Sequence, residues 1–563
     1  MGHHSGRLSL LLLAGVLFAA PSEADLRKLL AAVPDDAEAA LLIPNVNDLA
    51  SGVSAFGKGA KITAWGGLTG PSLLAAIDFP YPTDGLDLAA GLVIYTREGD
   101  DEPGAILFPK DVAVWKRTVA AEDAADGLFR LGDEHSGWGA VRDGRIVVAD
   151  EKERVATARW TGRVAEKTGS IAALDRAQVV AVVDVPAWKE SVRGTIELFG
   201  TFVEMGMPAD GEENEIAAMR AFFGAVGKGF ADTVEDAERF AVGLRISGDA
   251  ARLDVLTEFG GATGSAIEKA KGSGRELLRG LPASAAMVVM AFETATPIGA
   301  GSAWDELVRE IIKLGASPET AETRAKVDEA VNAWSKVADS ITGCSLAVGA
   351  AGSKFALFGQ YFADNPAEAA RRLDDYNRVT IGLNSYVKGA TISNATEEIA
   401  GKRTSITSVT LDDSREEAAI IAAAYGTPLV IATAESAVGV GLAMGSDVAA
   451  RRGIKELIEI KPDAGMATGT MGETARRSLS PRPLGVMLID VAECARASMR
   501  VVQAMGLALP NIRFGPAGPI AMGVYIERRV VRLELHVPTS AVRSITEAVE
   551  RLMGDEGEAP IEQ

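Results

Sequence analysis

Two pairs of alternating segments stand out in the hydrophobic pattern. In the first, Val242, Leu244 and Ile246 alternate with Ala241, Gly243 and Arg245. The segment that follows places Leu253, Val255 and Phe259 on one side and Arg252, Asp254 and Glu258 on the other. In the second pair, Met522, Val524 and Ile526 answer Val531, Leu533, Leu535 and Val537, with Arg532, Glu534 and His536 opposite. A period of two with one polar side predicts antiparallel hairpins in a sheet that is wet on one face and covered by helices on the other.

These hairpins are the last of five features that recur in the same order along the chain, which is the pattern left by an internal repeat. Val33-Pro34 and the apolar run Ala40–Ile43 match Leu281-Pro282 and Met287–Met290. The strand-like pair 91–95 and 105–108, with a helix from near Asp111, matches 344–348 and 355–358 with a helix from near Asn365-Pro366. Ile146–Ala149 running into a helix over Lys152–Trp160 matches Leu429–Ala432 running into a helix over Glu435–Met444. Val179–Asp184 and Val486–Asp490 each end in Asp-Val before a longer helix.

The expected architecture is α+β. It has two tandem related lobes, each a mainly antiparallel sheet of roughly six to eight strands covered on one face by helices. Lobe A spans 25–272 and lobe B 273–554, with a flexible polar tail at 555–563. Each lobe carries a helical insertion. In lobe A it is a hairpin over 186–232, with Trp188, Val192, Ile196, Phe199 and Val203 at helical spacing. In lobe B it covers 303–338, with Ser317 as N-cap and Pro318 at the first helical position.

Residues 1–24 are expected to be a signal peptide: Arg7, the apolar run Leu8–Ala20, and small residues Ser22 and Ala24 before cleavage at Asp25. The apolar run is short of the roughly 20 residues that a membrane span needs. The mature protein is then periplasmic or extracellular, or anchored at its N-terminus if the signal stays uncleaved. No later stretch is long and apolar enough to span a membrane. Asp and Glu total 77 against 57 Lys and Arg, a net charge of −20, which argues against nucleic acid as a partner. Cys344 and Cys494 can form a bridge or stay as two buried thiols; the sequence leaves both open.

No catalytic centre, cofactor site or metal site is legible. Of four histidines, His3 and His4 leave with the signal, His135 lies in a polar turn, and His536 lies beside Glu534 on the polar side of a strand. Two isolated histidines do not supply zinc-ligand spacing. Gly52–Lys58 fits most of a phosphate-binding loop, but Gly59 stands where Ser or Thr would hold magnesium, so a glycine-rich turn is the simpler reading. Ser385-Tyr386-Val387-Lys388 fits the Ser-x-x-Lys pattern without the companion elements. Gly439, Gly441 and Gly445 miss dinucleotide-binding spacing.

Two kinds of site candidate remain. Asp184 and Asp490 hold equivalent places in the repeat; helix capping explains both, and a pair of ligand-facing carboxylates is the functional alternative. The 186–232 hairpin offers Phe199, Phe202, Met205, Met207, Met219, Phe222 and Phe223 as a candidate apolar surface, with core packing as the plain alternative.

The segments Val33-Pro34-Asp35-Asp36-Ala37, Gly144–Ala149 and Gly426–Ala432 resemble a family of exported bacterial proteins of unassigned activity. The resemblance implies an envelope location and brings no mechanism. The sequence therefore points to an exported, non-enzymatic binding or scaffold protein whose partner is an apolar ligand or an envelope protein. A hydrolase with a non-standard site around His135 or Ser385, and a purely structural surface protein, are the alternatives. Oligomeric state is left open.

Overall fold

A computed structural model describes residues 26–97, 102–132, 137–160, 174, 176–186, 189, 235–269, 276–282, 286–293, 321–352, 354–381, 383, 390–411, 416–461, 464–504 and 512–555. The expected signal peptide, nearly all of the 186–232 hairpin, residues 303–320 of the second insertion and the tail beyond 555 lie outside them. The chain forms two compact units. The first comprises Met1–Val192, Asp236–Gly260 and Val530–Thr546; the second comprises Arg193–Glu235, Gly261–Arg529 and Glu547–Gln563. Residues 530–546, placed by the sequence reading in lobe B, cluster with the first unit.

Elements are numbered in chain order. The first unit contains β1 (Ala39–Ile43), β2 (Leu92–Thr96), β3 (Gly104–Leu107), β4 (Glu122–Asp123), β5 (Leu128–Arg130), β6 (Trp138–Arg142), β7 (Arg145–Ala149), β8 (Val179–Asp184), β9 (Ala237–Ile246), β10 (Ala250–Phe259) and the chain's last strand, β20 (Val530–Pro538). They pair antiparallel in the order β20-β10-β9-β8-β1-β2-β3-β7-β6-β5-β4. Its helices are α1 (Leu26–Ala32), α2 (Val46–Ala60), α3 (Gly70–Ala76), α4 (Val112–Thr118) and α5 (Lys152–Thr157).

Local chemistry starts these helices. The Asn45 side chain accepts from the backbone N–H groups of Asn47 and Asp48 at the head of α2. Thr69 and Ser72 form a reciprocal capping box on α3, and Asp111 accepts from Val114 N on α4. Such caps satisfy donors that a helix end leaves orphaned. One face of the sheet, with Leu41, Ile43, Leu92, Leu107, Ile146 and Val148, is then sealed by Leu49, Val53 and Phe56 of α2, Leu73 and Leu74 of α3, and Trp115 of α4.

The opposite face is not wet as expected. Ala40, Leu42, Val93, Ile106, Val180 and Val182 form a second core with Leu26, Leu29 and Leu30 of α1 and with Leu174 and Ala177. The alternating hairpin gave a one-sided pattern because its polar residues neutralise one another under cover, as described below. The central strands β1 and β8 are apolar on both sides, which is the composition of a doubly covered sheet.

The second unit contains β11 (Ala286–Glu293), β12 (Gly343–Ala351), β13 (Lys354–Phe362), β14 (Thr391–Ile399), β15 (Lys402–Thr410), β16 (Leu429–Ser436), β17 (Gly439–Ser446), β18 (Gly485–Ile489) and β19 (Ile520–Glu527). Its described helices are α6 (Gly261–Lys269), α7 (Ala321–Ala338), α8 (Pro366–Ile381), α9 (Glu416–Tyr425), α10 (Asp447–Glu459), α11 (Thr470–Ser478) and α12 (Val491–Ala504); α13 (Thr539–Asp555) begins in the first unit. The strands pair antiparallel in the order β19-β18-β11-β12-β13-β17-β16-β15-β14. This is the first unit's order from β9 to β4 with every number raised by ten.

The fold is α+β with extensive antiparallel sheet. Its strands exceed the six to eight per lobe expected, because the short β4 and β5 and the polar hairpin β14–β15 lack an apolar run. A second correction concerns Glu435–Met444, expected as a helix. It is the end of β16 and most of β17, where Val440 and Leu442 turn to one face and Gly441 and Ala443 to the other. Gly441 and Gly453 allow α10 to lie close on this strand. Gly52–Gly59 is neither a loop nor a turn but the body of α2. Gly57 takes the Trp65 side chain against it, and a Cβ on Gly59 would stand 2.6 Å from Thr539 Cγ2.

Candidate functional site

The site is built on one face of the second unit's sheet. Residues paired directly across antiparallel strands point to the same face. One such row runs Leu442, Gly359, Leu346, Met290, Met487, Met522 across β17, β13, β12, β11, β18 and β19. At the β17 end it is buried, where Leu442 packs with Val337 of α7 and Leu373 of α8. At β11, among the described residues, Met290 is 44% exposed and Phe292, on the same side of the strand, is 39% exposed; residues 294–320, which follow β11 as α2 follows β1, lie outside the described residues. Leu346, Met487 and Met522 around them are half-buried.

The first unit shows what this face looks like when filled. The backbone N–H of Asp184 donates to Glu38 O at 2.8 Å, and that of Asp490 donates to Met287 O at 2.8 Å. This shared bond fixes the correspondence between β1 and β11. Leu41 takes the place of Met290, and Ile43 the place of Phe292. Leu41 and Ile43 are only 5% and 2% exposed, beneath α2.

The chemistry of the exposed face is apolar contact. Thioethers are polarisable and unbranched, so Met290, Met487 and Met522 adapt to irregular apolar shapes. Beside them Cys344, paired with Phe292 across the strands, is buried, and burial pushes its thiol up to about 12. Cys494, on α12, also has its thiol raised, chiefly by burial. Both cysteines are free.

The residues singled out from the sequence are placed separately. Asp490 Oδ1 accepts from Glu493 N at 2.9 Å, so this carboxylate caps α12. Asp184 ends β8 opposite Arg239, which in turn bridges Glu258 at 3.0 Å. His135, Ser385 and the aromatic and methionine residues from Phe199 to Phe223 lie outside the described residues. Among the described residues no three His, Cys, Asp or Glu side chains are grouped to hold a metal ion. No described helix is long and apolar enough to cross a membrane.

The polar side of the β10–β20 pair holds a second cluster. Asp254 and Glu534 stand directly opposite each other, an arrangement that repels unless compensated. Arg252 reaches Asp254 at 3.4 Å and Glu534 at 2.6 Å; Arg532 reaches Asp254 at 3.1 Å and Glu534 at 2.8 Å. Each arginine therefore bridges both acids in a closed ring, with the Glu534 side chain 0% exposed. Burial raises the Asp254 carboxyl, against the pull of both arginines. Burial lowers His536, helped by Arg252 opposite it. All members are paired with one another, which marks the ring as an element of the fold.

Sequence reasoning missed Met290 and Phe292. The run Ala286–Phe292 reads as a buried strand, and nothing local distinguishes it from Ala39–Ile43. The only signal was its Met content set against the aliphatic Ala39–Ile43.

No protein-family profile matches the chain, and no curated protein matches it. Among solved structures, crystal form IV of TP0453 aligns with 11% identity over 50% of this chain and 98% of its own, with a TM-score of 0.21. Crystal form I aligns with 12% identity over 48% and 96%, with a TM-score of 0.19. Superposition this loose carries no argument about fold or function.

Proposed function

We propose that this is an exported, non-enzymatic binding or scaffold protein of the bacterial envelope, made by internal duplication, in which the second copy keeps an apolar sheet face open for contact. The observation that carries the reading is the exposure of Met290 and Phe292 at places where the first unit buries Leu41 and Ile43. Exposed apolar patches on a folded protein mark contact surfaces. The duplication is supported by the shared strand order, the matched Asp184 and Asp490 backbone bonds, and the matched segments Arg252-Leu253-Asp254-Val255 and Arg532-Leu533-Glu534-Leu535. Export is supported by the signal-like segment before Asp25 and by the family resemblance.

The test is apolar dye binding. 1-Anilinonaphthalene-8-sulfonate should fluoresce with the full chain, and Met290→Lys/Phe292→Lys should reduce that signal at least about twofold. Equal fluorescence from both proteins, with both folded by circular dichroism, would remove this face from the proposal.

A further inference from the structure

We infer that β10 is a self-pairing strand: the place that β20 fills beside it fits a second β10, so two copies of this chain join strand to strand when β20 is released. The Arg252, Asp254, Arg532 and Glu534 ring is the lock that reserves the place for β20. The inference rests on the duplication in the reading above and is independent of the Met290 and Phe292 face.

Three observations carry it. The first is symmetry within the β10–β20 ladder. The matched segments make Arg532, Leu533, Glu534 and Leu535 the counterparts of Arg252, Leu253, Asp254 and Val255. Asp254 faces Glu534, its own counterpart. Leu253 faces Leu535, the counterpart of Val255, and Val255 faces Leu533, the counterpart of Leu253. Further out, Arg252 faces His536 and Leu256 faces Arg532, again in exchanged places. A contact in which each residue meets its partner's counterpart is two-fold, and two-fold contacts are self-complementary. The second is chemistry. Each strand brings one arginine and one acid, two residues apart. The cross-strand bridges, Arg252 to Glu534 at 2.6 Å and Arg532 to Asp254 at 3.1 Å, are exchanged images of each other. Two β10 strands in the same register would supply two Arg252 and two Asp254, the same charges in the same places. Leu253 would then face Val255, keeping the apolar pairs. The third is regularity. The ladder runs from Ala250–Pro538 to Glu258–Val530 without a register shift. Backbone pairing of this kind accepts any strand that fits, while buried charge networks are best attested as register devices. Because β20 is on the same chain, it excludes a second copy for as long as the ring holds it.

The experiment uses the full-length chain as wild type, as Glu534→Lys, which sets a third cation in the ring, and as Leu533→Pro/Glu534→Pro, which removes backbone donors from β20. Hydrogen exchange at 250–259 reports release of β20, and circular dichroism reports retained sheet. Three fluorescent peptides serve as probes: residues 250–259, residues 530–538, and a scrambled 250–259. Exchange at 250–259 is expected to quicken in the variants. Both natural peptides should bind a variant at least about tenfold more tightly than wild type, and within about tenfold of each other. The scrambled peptide should bind neither. Light scattering should show a dimer of the variant that wild type lacks at the same concentration and that either natural peptide dissolves.

Binding of the 530–538 peptide alone overturns the inference: the edge then accepts only its own partner, while the duplication stands. Binding of neither peptide, or equal binding of the scrambled one, also overturns it, as does a dimer that persists in saturating peptide. Unchanged exchange in both variants, or loss of their fold, shows that β20 is not releasable and overturns it too. The dye test with Met290→Lys/Phe292→Lys is read separately, so failure of either experiment leaves the other standing.

Discussion

Four charged side chains show how context overrides type. Arg252, Asp254, Arg532 and Glu534 read as a solvated strand face, yet they lie in a ring with Glu534 fully enclosed. Removing one member would strand the others, which for buried pairs costs about 3–5 kcal/mol. His536 sits at the edge of this ring, facing Arg252 with Glu534 and Arg245 also acting on it. Its folded-state value lies below the ordinary 6.5, so the unfolded chain takes up the proton first as pH falls. The stability from neutral His536 is therefore present above that value and is lost as pH drops through the interval beneath it. Asp254 acts the other way in a more acidic window. Its raised carboxyl takes a proton more readily when folded, so it opposes the loss just above the ordinary value of 3.8. Thermal melts of wild type should fall in midpoint as pH drops below the ordinary histidine value of 6.5, and His536→Asn should flatten that fall. An unchanged slope in the variant would show that another group titrates there.

At the scale of elements, much was legible where an apolar run and its punctuation coincided. Asp111 and Asn365-Pro366 marked the starts of α4 and α8, and the edges of β8 and β18 were set by the Asp-Val pairs. The failures share one cause: residues judged without their neighbours. Glu435–Met444 was read as a helix because Leu429–Ala432 was matched to Ile146–Ala149, whereas in the shared strand order β7 answers β17 and the helix that follows is Asp447–Glu459. Its glycines instead serve close packing in β17. Gly439 has φ +148, where a Cβ would collide with the Tyr361 carbonyl across the ladder. Gly439→Ala should therefore destabilise the second unit by about 1–3 kcal/mol, through strain at a backbone geometry that L-residues avoid. Gly401 (φ +74) has open space around it, so Gly401→Ala should carry the dihedral strain without the collision. Chemical denaturation midpoints of the two variants separate steric overlap from dihedral preference. The hairpin β14–β15 escaped notice for the complementary reason. Thr391–Ile399 is largely exposed and polar on both sides, so no hydrophobic period announces it.

The whole molecule repeats one strand order, and its two units differ in what is done with one sheet face. That difference was not legible in the sequence, because Leu41, Ile43, Met290 and Phe292 all satisfy the same apolar pattern and only their covering distinguishes them. It makes matched substitutions informative. Leu41→Lys places an ammonium into the core formed with Leu49, Val53 and Phe56, losing a buried aliphatic and burying an unpaired charge. The expected cost is at least about 3–5 kcal/mol, enough to melt the first unit early in calorimetry. Met290→Lys replaces a side chain already 44% exposed, and the long lysine stem can lie along the face while its charge reaches water. Its expected cost is below about 1 kcal/mol. Equal destabilisation at the two positions would mean that the second unit's face is sealed in solution, and the binding surface would have to be sought elsewhere. A large asymmetry would show that the first unit depends on this apolar face for its stability while the second unit does not.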